Sequence, residues 1–186
     1  MPVRRPSREE IAAAVNLTVP DIIAPGLRVL FCGINPGLYT AAVGCHFARP
    51  GNRFWKALYE GGFTPRILDP SEQNQLLRAG CGITNIVDRA STGAAELTAA
   101  ELAAGGRNLD RKVREYAPRW LAVLGLGAYR TAFARPRASL GPQQDTVGGR
   151  PVWVLPNPSG LNASYRPADF ARLFRELRDA SGESGA

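Results

Sequence analysis

The stretch RVLFCGINPG, residues 28–37, decides how this chain folds. Its first seven residues are an apolar run rich in β-favouring side chains, and Asn-Pro-Gly stops it abruptly. A short apolar run bounded by turn residues reads as a strand buried on both faces. Strands of that kind belong to parallel sheets covered by helices, not to half-solvated antiparallel ones. Residues 81–87 (CGITNIV), 120–124 (WLAVL) and 152–155 (VWVL) repeat the pattern. Gly148-Gly149 can turn a hairpin between residues 144–147 and the last of these runs.

Helical segments separate the strands. Ser7 and Glu10 have capping-box spacing ahead of a short helix over 7–15, and Thr98 and Glu101 repeat the spacing. Residues 36–51 hold Gly and Pro at intervals and read as a long loop. Asn52 caps a helix running to Glu60, which Gly61-Gly62 stops, and Ser71 caps a shorter one to Ala79. Helices are expected over 108–117 and 128–134. A last one, over 167–180, places Phe170, Leu173, Phe174 and Leu177 on one face. Apolar strands alternating with helices predict an α/β fold: a three-layer α/β/α sandwich around a central, mostly parallel sheet. The expected organisation is an N-terminal extension over 1–18, one domain over 19–180 and a disordered tail over 181–186.

Composition narrows the function. The 186 residues carry 23 Lys+Arg against 16 Asp+Glu, a formal charge of +7. Such a balance favours an anionic partner, nucleic acid first. Nine basic and three acidic residues lie between Gly105 and Arg150, so most of the excess falls in one stretch. Only Lys56 and Lys112 are lysines; the other basic residues are arginines, whose fork suits phosphate oxygens. No apolar run reaches the ~20 residues of a membrane span, and residues 1–10 lack the apolar core of a signal peptide. Three cysteines without paired spacing exclude a disulfide framework and suit a reducing cytosol. One histidine, His46, and no Cys-x-x-Cys leave too few ligands for a closed zinc site, so no metal or other cofactor is expected.

Ligands of parallel sheets bind beyond the carboxyl ends of the strands. Two such ends run directly into asparagine-bearing turns, Asn35-Pro36-Gly37 and Pro156-Asn157-Pro158-Ser159-Gly160-Leu161. Either turn alone is ordinary turn chemistry; the pair, at the same edge of one sheet, predicts a site. Asp88 follows the second run and can reach that edge as a catalytic carboxylate, or pair with Arg89 instead. Gly125-Leu126-Gly127 lacks the last glycine of a dinucleotide fingerprint, because Arg130 stands there.

Three ordered motifs carry a resemblance: Gly33-Ile34-Asn35-Pro36-Gly37, then Phe47-Ala48-x-Pro50-x-Asn52-Arg53-Phe54-Trp55, then Asn157-Pro158-Ser159-Gly160-Leu161. Together they resemble the mismatch-specific uracil/thymine DNA glycosylases of the uracil-DNA glycosylase superfamily, over about residues 20–180. The resemblance implies hydrolysis of the N-glycosidic bond of uracil, mismatched thymine or related pyrimidines in DNA; a monomer acting without cofactors is expected. It implies that Asn35 positions the attacking water, that Phe47 stacks under the everted base, and that backbone near Ile34 and Phe47 reads the base edge. Asn157 would donate to a base carbonyl. Ser159, Gly160, Leu161 and Asn162 would contact the DNA, Leu161 as a wedge in the vacated stack. The chain departs from the family pattern in carrying Ala163 where some relatives have an Arg reaching the opposite guanine, with Asn162 or Tyr165 as possible substitutes. It also carries Asn85 where some place a Lys. A non-catalytic nucleic-acid-binding module of the same fold is the main rival, and a small-nucleotide enzyme of Rossmann type a weaker one.

Overall fold

The structure is a computed structural model, and it describes residues 2–182. Five strands form one sheet: β1 (Val29–Gly33), β2 (Cys81–Asn85), β3 (Trp120–Leu124), β4 (Gly141–Val147) and β5 (Arg150–Leu155), in the order β2-β1-β3-β5-β4. The first, second, third and fifth run parallel; β4 pairs antiparallel with β5 at the edge. Six α-helices accompany them: α1 (Arg8–Ala13), α2 (Leu38–Val43), α3 (Phe54–Glu60), α4 (Ala99–Tyr116), α5 (Leu126–Ala132) and α6 (Pro167–Gly182).

The period of two along each strand sorts the side chains into two cores. Val29, Phe31, Ile83, Ala122, Leu124 and Leu155 face α3 and α6, where Phe54, Leu58, Phe174 and Leu177 cover them. Leu30, Cys32, Leu121, Val123 and Val154 face α4 and α5, under Leu109, Val113 and Tyr129. The expected three layers follow from this division. Each fully buried large side chain contributes roughly 1.5–3 kcal/mol relative to exposure.

Several local expectations hold to the residue. Both capping boxes form, Ser7 with Glu10 and Thr98 with Glu101. Strand β3 spans the expected five residues, and the hairpin turns at Gly148-Gly149. Others shift. The helix expected from residue 108 begins nine residues earlier, and Gly105 and Gly106 lie buried inside it. A Cβ on Gly105 would sit 2.2 Å from the Ile86 carbonyl oxygen, and one on Gly106 2.5 Å from that of Ala132. These glycines permit close packing of α4 instead of ending a helix. The expected loop over 36–51 contains α2, which α1 packs against, and Ala14 and Val19 join Ala41 and Ala90 in a small third core. The segment before residue 19 is therefore docked on the domain. The last helix continues through Ser181 and Gly182, two residues past the expected end. The rest of the expected tail, 183–186, lies outside the described residues.

Candidate active site

The sheet register opens a cavity at its carboxyl edge. Along the α3/α6 face, Val29, Phe31 and Gly33 lie beside Cys81, Ile83 and Asn85. The first two rungs are filled by apolar side chains. The last is not: Gly33 has none and Asn85 has a polar one. A Cβ on Gly33 would stand 2.5 Å from Asn85 Oδ1 and 3.2 Å from Phe47 Cζ. Beyond that rung lies a cavity of about 390 Å³, bordered by Ile34, Asn35, Phe47, Asn85, Asn157 and Leu161, among others. That volume is in the usual range of small-ligand pockets.

The two asparagine turns converge on this cavity, and their amides are oriented in opposite senses. Asn35 Nδ2 donates to the Arg89 carbonyl at 3.0 Å and to Ser91 Oγ at 2.8 Å. A carbonyl only accepts, so both N–H bonds of Asn35 are directed away and its Oδ1 remains as the acceptor. Asn157 is the reverse: its Oδ1 accepts from Ser159 N–H at 3.0 Å, which leaves its NH₂ to donate. The buried Asn85 amide has no protein partner on either side among the described residues, and it borders the cavity. From the sequence, Asn85 stands out only as a change in the pocket wall. A polar residue on the last rung of an otherwise apolar strand face is the available signal.

Asn35 is held through a tethered loop. Ser91, itself buried, donates to the Gly93 carbonyl at 2.9 Å while accepting from Asn35. Arg89 Nε donates to Glu101 Oε1 at 2.6 Å, while Glu101 Oε2 accepts from Thr98 N–H at the start of α4. The Arg89 hydrogen bond is the main reason the Glu101 carboxyl is held down to about 2.

Phe47 lies at φ +53, a left-handed conformation that costs a non-glycine residue of order 1 kcal/mol or more. Its neighbour His46 is pinned on three sides. The His46 N–H donates to Gln73 Oε1, its ring Nε2 lies 2.9 Å from the Pro20 carbonyl, and its own carbonyl accepts from Trp55 Nε1. The Pro20 carbonyl can only accept, so Nε2 carries the proton. Burial is the chief cause that lowers the imidazole pKa, and the ring is neutral at pH 7. The Phe47 ring is backed by Phe54, centroids 4.1 Å apart.

The remaining expected residues divide. Ile34 borders the cavity, its carbonyl accepting from Val87 N–H. Ser159 does so too, its Oγ accepting from Leu161 N–H. Leu161 stands at the mouth, 76% exposed, next to the exposed Gly160. Asn162 borders the cavity, but its Nδ2 donates to the Asn157 carbonyl and its Oδ1 accepts from Ser164 N–H, so its side chain braces the loop. Asp88 is exposed and borders no part of the cavity. The expected pair with Arg89 does not form either, since Arg89 pairs with Glu101. Strand β2 ends at Asn85, and that residue, not Asp88, takes the place at the strand's carboxyl end. Among the described residues, no carboxylate and no lysine border the cavity, and Arg49 is the one arginine that does. The basic stretch over 105–150 contributes no residue to the lining; Lys112, Arg114 and Arg135 in it are ion-paired. Burial pushes the Cys81 thiol up to about 12 and the Cys32 thiol also upward, so both are inert thiols. No cluster of metal-ligating side chains occurs among the described residues.

The arrangement is an acceptor for water at one wall, amide donors at two others and an aromatic ring beside them. It is suited to a hydrolysis whose leaving group gathers negative charge. Comparison with solved structures finds the same fold in a candidate uracil DNA glycosylase from Methanosarcina acetivorans, determined by NMR in solution. The two share 17% identity at a TM-score of 0.58, over 88% of this chain and 99% of that one. At that identity the likeness speaks for the fold. The sequence pattern described as "Uracil DNA glycosylase superfamily" matches residues 20–178, from before β1 to within α6. That match takes in all five strands and every residue named on the cavity, and the chain belongs to the uracil DNA glycosylase superfamily.

Proposed function

We propose that this protein is a monofunctional DNA glycosylase acting on uracil turned out of DNA, with mismatched thymine and related damaged pyrimidines as further substrates. Enzymes of its superfamily are hydrolytic DNA glycosylases. The observation that carries the reading is the convergence of Asn35 and Asn157 on one cavity, one amide offering oxygen and the other nitrogen.

A base inside a duplex is out of reach, so the nucleotide must leave the stack to enter such a pocket. Asn35 Oδ1 accepts a hydrogen bond from water and aims the water oxygen at the sugar C1′. The bond from C1′ to the base breaks through an oxocarbenium-like state, the base leaving with the bonding pair. The water oxygen bonds to C1′, and its surplus proton passes to solvent or the departing base. With no carboxylate at the cavity among the described residues, little general-base push is available. The rate then depends on stabilising the charge that develops on the leaving base. In this reading the NH₂ groups of Asn157 and Asn85, both on the cavity, donate to the base carbonyls, with Phe47 as the stacking wall. The absence of lysine from the lining supports simple hydrolysis over a Schiff-base step. Ala163 offers no group to read the opposite base, and the Asn162 amide is committed within its loop. A relaxed opposite-base rule is the expected consequence.

The test is incubation of purified protein with labelled duplexes carrying G·U, A·U and G·T, and with single-stranded uracil, followed by alkaline cleavage. Strand scission at uracil in both G·U and A·U is expected. Duplex binding with no abasic site formed would favour the binding module instead.

A further inference from the structure

Arg53 belongs to the motif that carried the resemblance but has no part in the chemistry just described. Its guanidinium reaches across more than a hundred residues of sequence to the loop that carries Leu161. Nη1 donates to the Tyr165 carbonyl at 2.5 Å; Nη2 donates to the Ser159 carbonyl at 2.6 Å and the Asn162 carbonyl at 2.5 Å. The Phe170 ring lies 4.6 Å from the guanidinium carbon, and the Arg53 N–H donates to the Pro158 carbonyl at 3.0 Å. All four acceptors are backbone oxygens of one irregular segment, and Arg53 has no ion pair among the described residues. Its Nε is buried without a partner.

The segment cannot fix itself against the domain. Its internal hydrogen bonds, Asn157 with Ser159, Ser159 with Leu161 and Asn162, Asn162 with Ser164, and Asn162 Nδ2 with the Asn157 carbonyl, all close within the loop itself. They shape the loop but do not say where it stands. The planar fork of an arginine suits several acceptors in one arrangement, which a lysine ammonium does not reproduce. Gly160 adds a steric limit: a Cβ there would lie 2.7 Å from the Gly51 carbonyl oxygen, two residues before Arg53.

We propose that Arg53 is a positioning residue that locks the 158–165 loop so that exposed Leu161 is held ready to enter the duplex. This rests on the glycosylase reading above. The lock matters only where a stack must be opened. A loose wedge penalises duplex substrate, whereas single-stranded uracil has no stack to hold apart.

The experiment compares wild type, Arg53→Met and Arg53→Lys on G·U duplex and on single-stranded uracil. Amide hydrogen exchange over 158–165 is followed alongside. Arg53→Met keeps the apolar stem but loses all three bonds, and Arg53→Lys keeps the charge without the fork. A misplacement of about 1 Å can cost about 10²-fold in rate. The expected result is a loss of about that size in kcat/KM on duplex and less than about threefold on single strands. Exchange at Leu161 and Asn162 should be at least about tenfold faster, with residues 29–47 unchanged. Arg53→Lys should fall between. Equal losses on both substrates, or unaltered exchange in the loop, would overturn the proposal. Wild type that cleaves neither substrate refutes the glycosylase reading instead, and the exchange result then judges the lock alone.

Discussion

Gly33→Ala tests the geometry on which the cavity depends. The added methyl carbon would stand 2.5 Å from Asn85 Oδ1 and 3.2 Å from Phe47 Cζ. A carbon–oxygen contact settles at roughly 3.3 Å or more, so one side must give by roughly 0.8 Å. Strand β1 cannot, since it is paired with β2 on one side and β3 on the other. The Asn85 amide is a side-chain end and yields first. The stability cost therefore falls at the low end of overpacking, about 1 kcal/mol. For a chain of this size that is about 2–4 °C in Tm. Activity should suffer more. The displaced amide no longer meets the base, and a shift near 1 Å can cost about 10²-fold, or about 2.7 kcal/mol of transition-state stabilisation. The assay is kcat/KM on a G·U duplex together with thermal unfolding. In Gly33→Ala/Asn85→Ala the shorter contact is gone, so Tm should recover while activity does not. Wild-type kcat/KM in Gly33→Ala would refute the reasoning, because Asn85 and Gly33 would then not form the working floor.

Asn35→Ala removes the only oriented acceptor for water at that wall, and single-turnover cleavage should slow about 10²–10³-fold with duplex affinity retained in a gel-shift titration. Asp88→Ala should stay within about twofold of wild type in kcat/KM, because an exposed side chain outside the cavity changes energies by about 0.5 kcal/mol or less; a large loss would return Asp88 to the catalytic group. His46 gives a pH signature. Its folded pKa lies below the ordinary 6.5, chiefly through burial, so below about pH 6.5 the unfolded chain binds the extra proton and the folded one does not. Stability should therefore decline as pH falls from about 6.5. It is the only histidine, and the Glu72 and Glu101 carboxyls, held to about 2, act only below the ordinary carboxylate range near 4.5. Denaturant unfolding at pH 5.5 and 7.5 should show the decline in wild type and its absence in His46→Gln, measured from that variant's own baseline.

Much of this fold is legible in local sequence. An apolar run such as WLAVL has no other economical fate than a doubly covered strand. Ser7 with Glu10 and Thr98 with Glu101 meet within one helical turn, so their spacing alone specifies the two caps. The asparagine turns could be placed at one edge because parallel strands end on the same side. What local sequence could not supply is anything that depends on a distant partner. The helix expected from residue 108 begins at Ala99 because Gly105 and Gly106 let it press against the Ile86 and Ala132 carbonyls. Asp88 reads as a catalytic carboxylate until β2 is found to end three residues earlier. The residue types at Asn35, Asn85 and Asn157 are identical, yet they present an oxygen, both groups and a nitrogen respectively. Which atom faces the cavity is decided by the carbonyl, the hydroxyl or the N–H that occupies the other side, and only the folded chain brings those groups into reach.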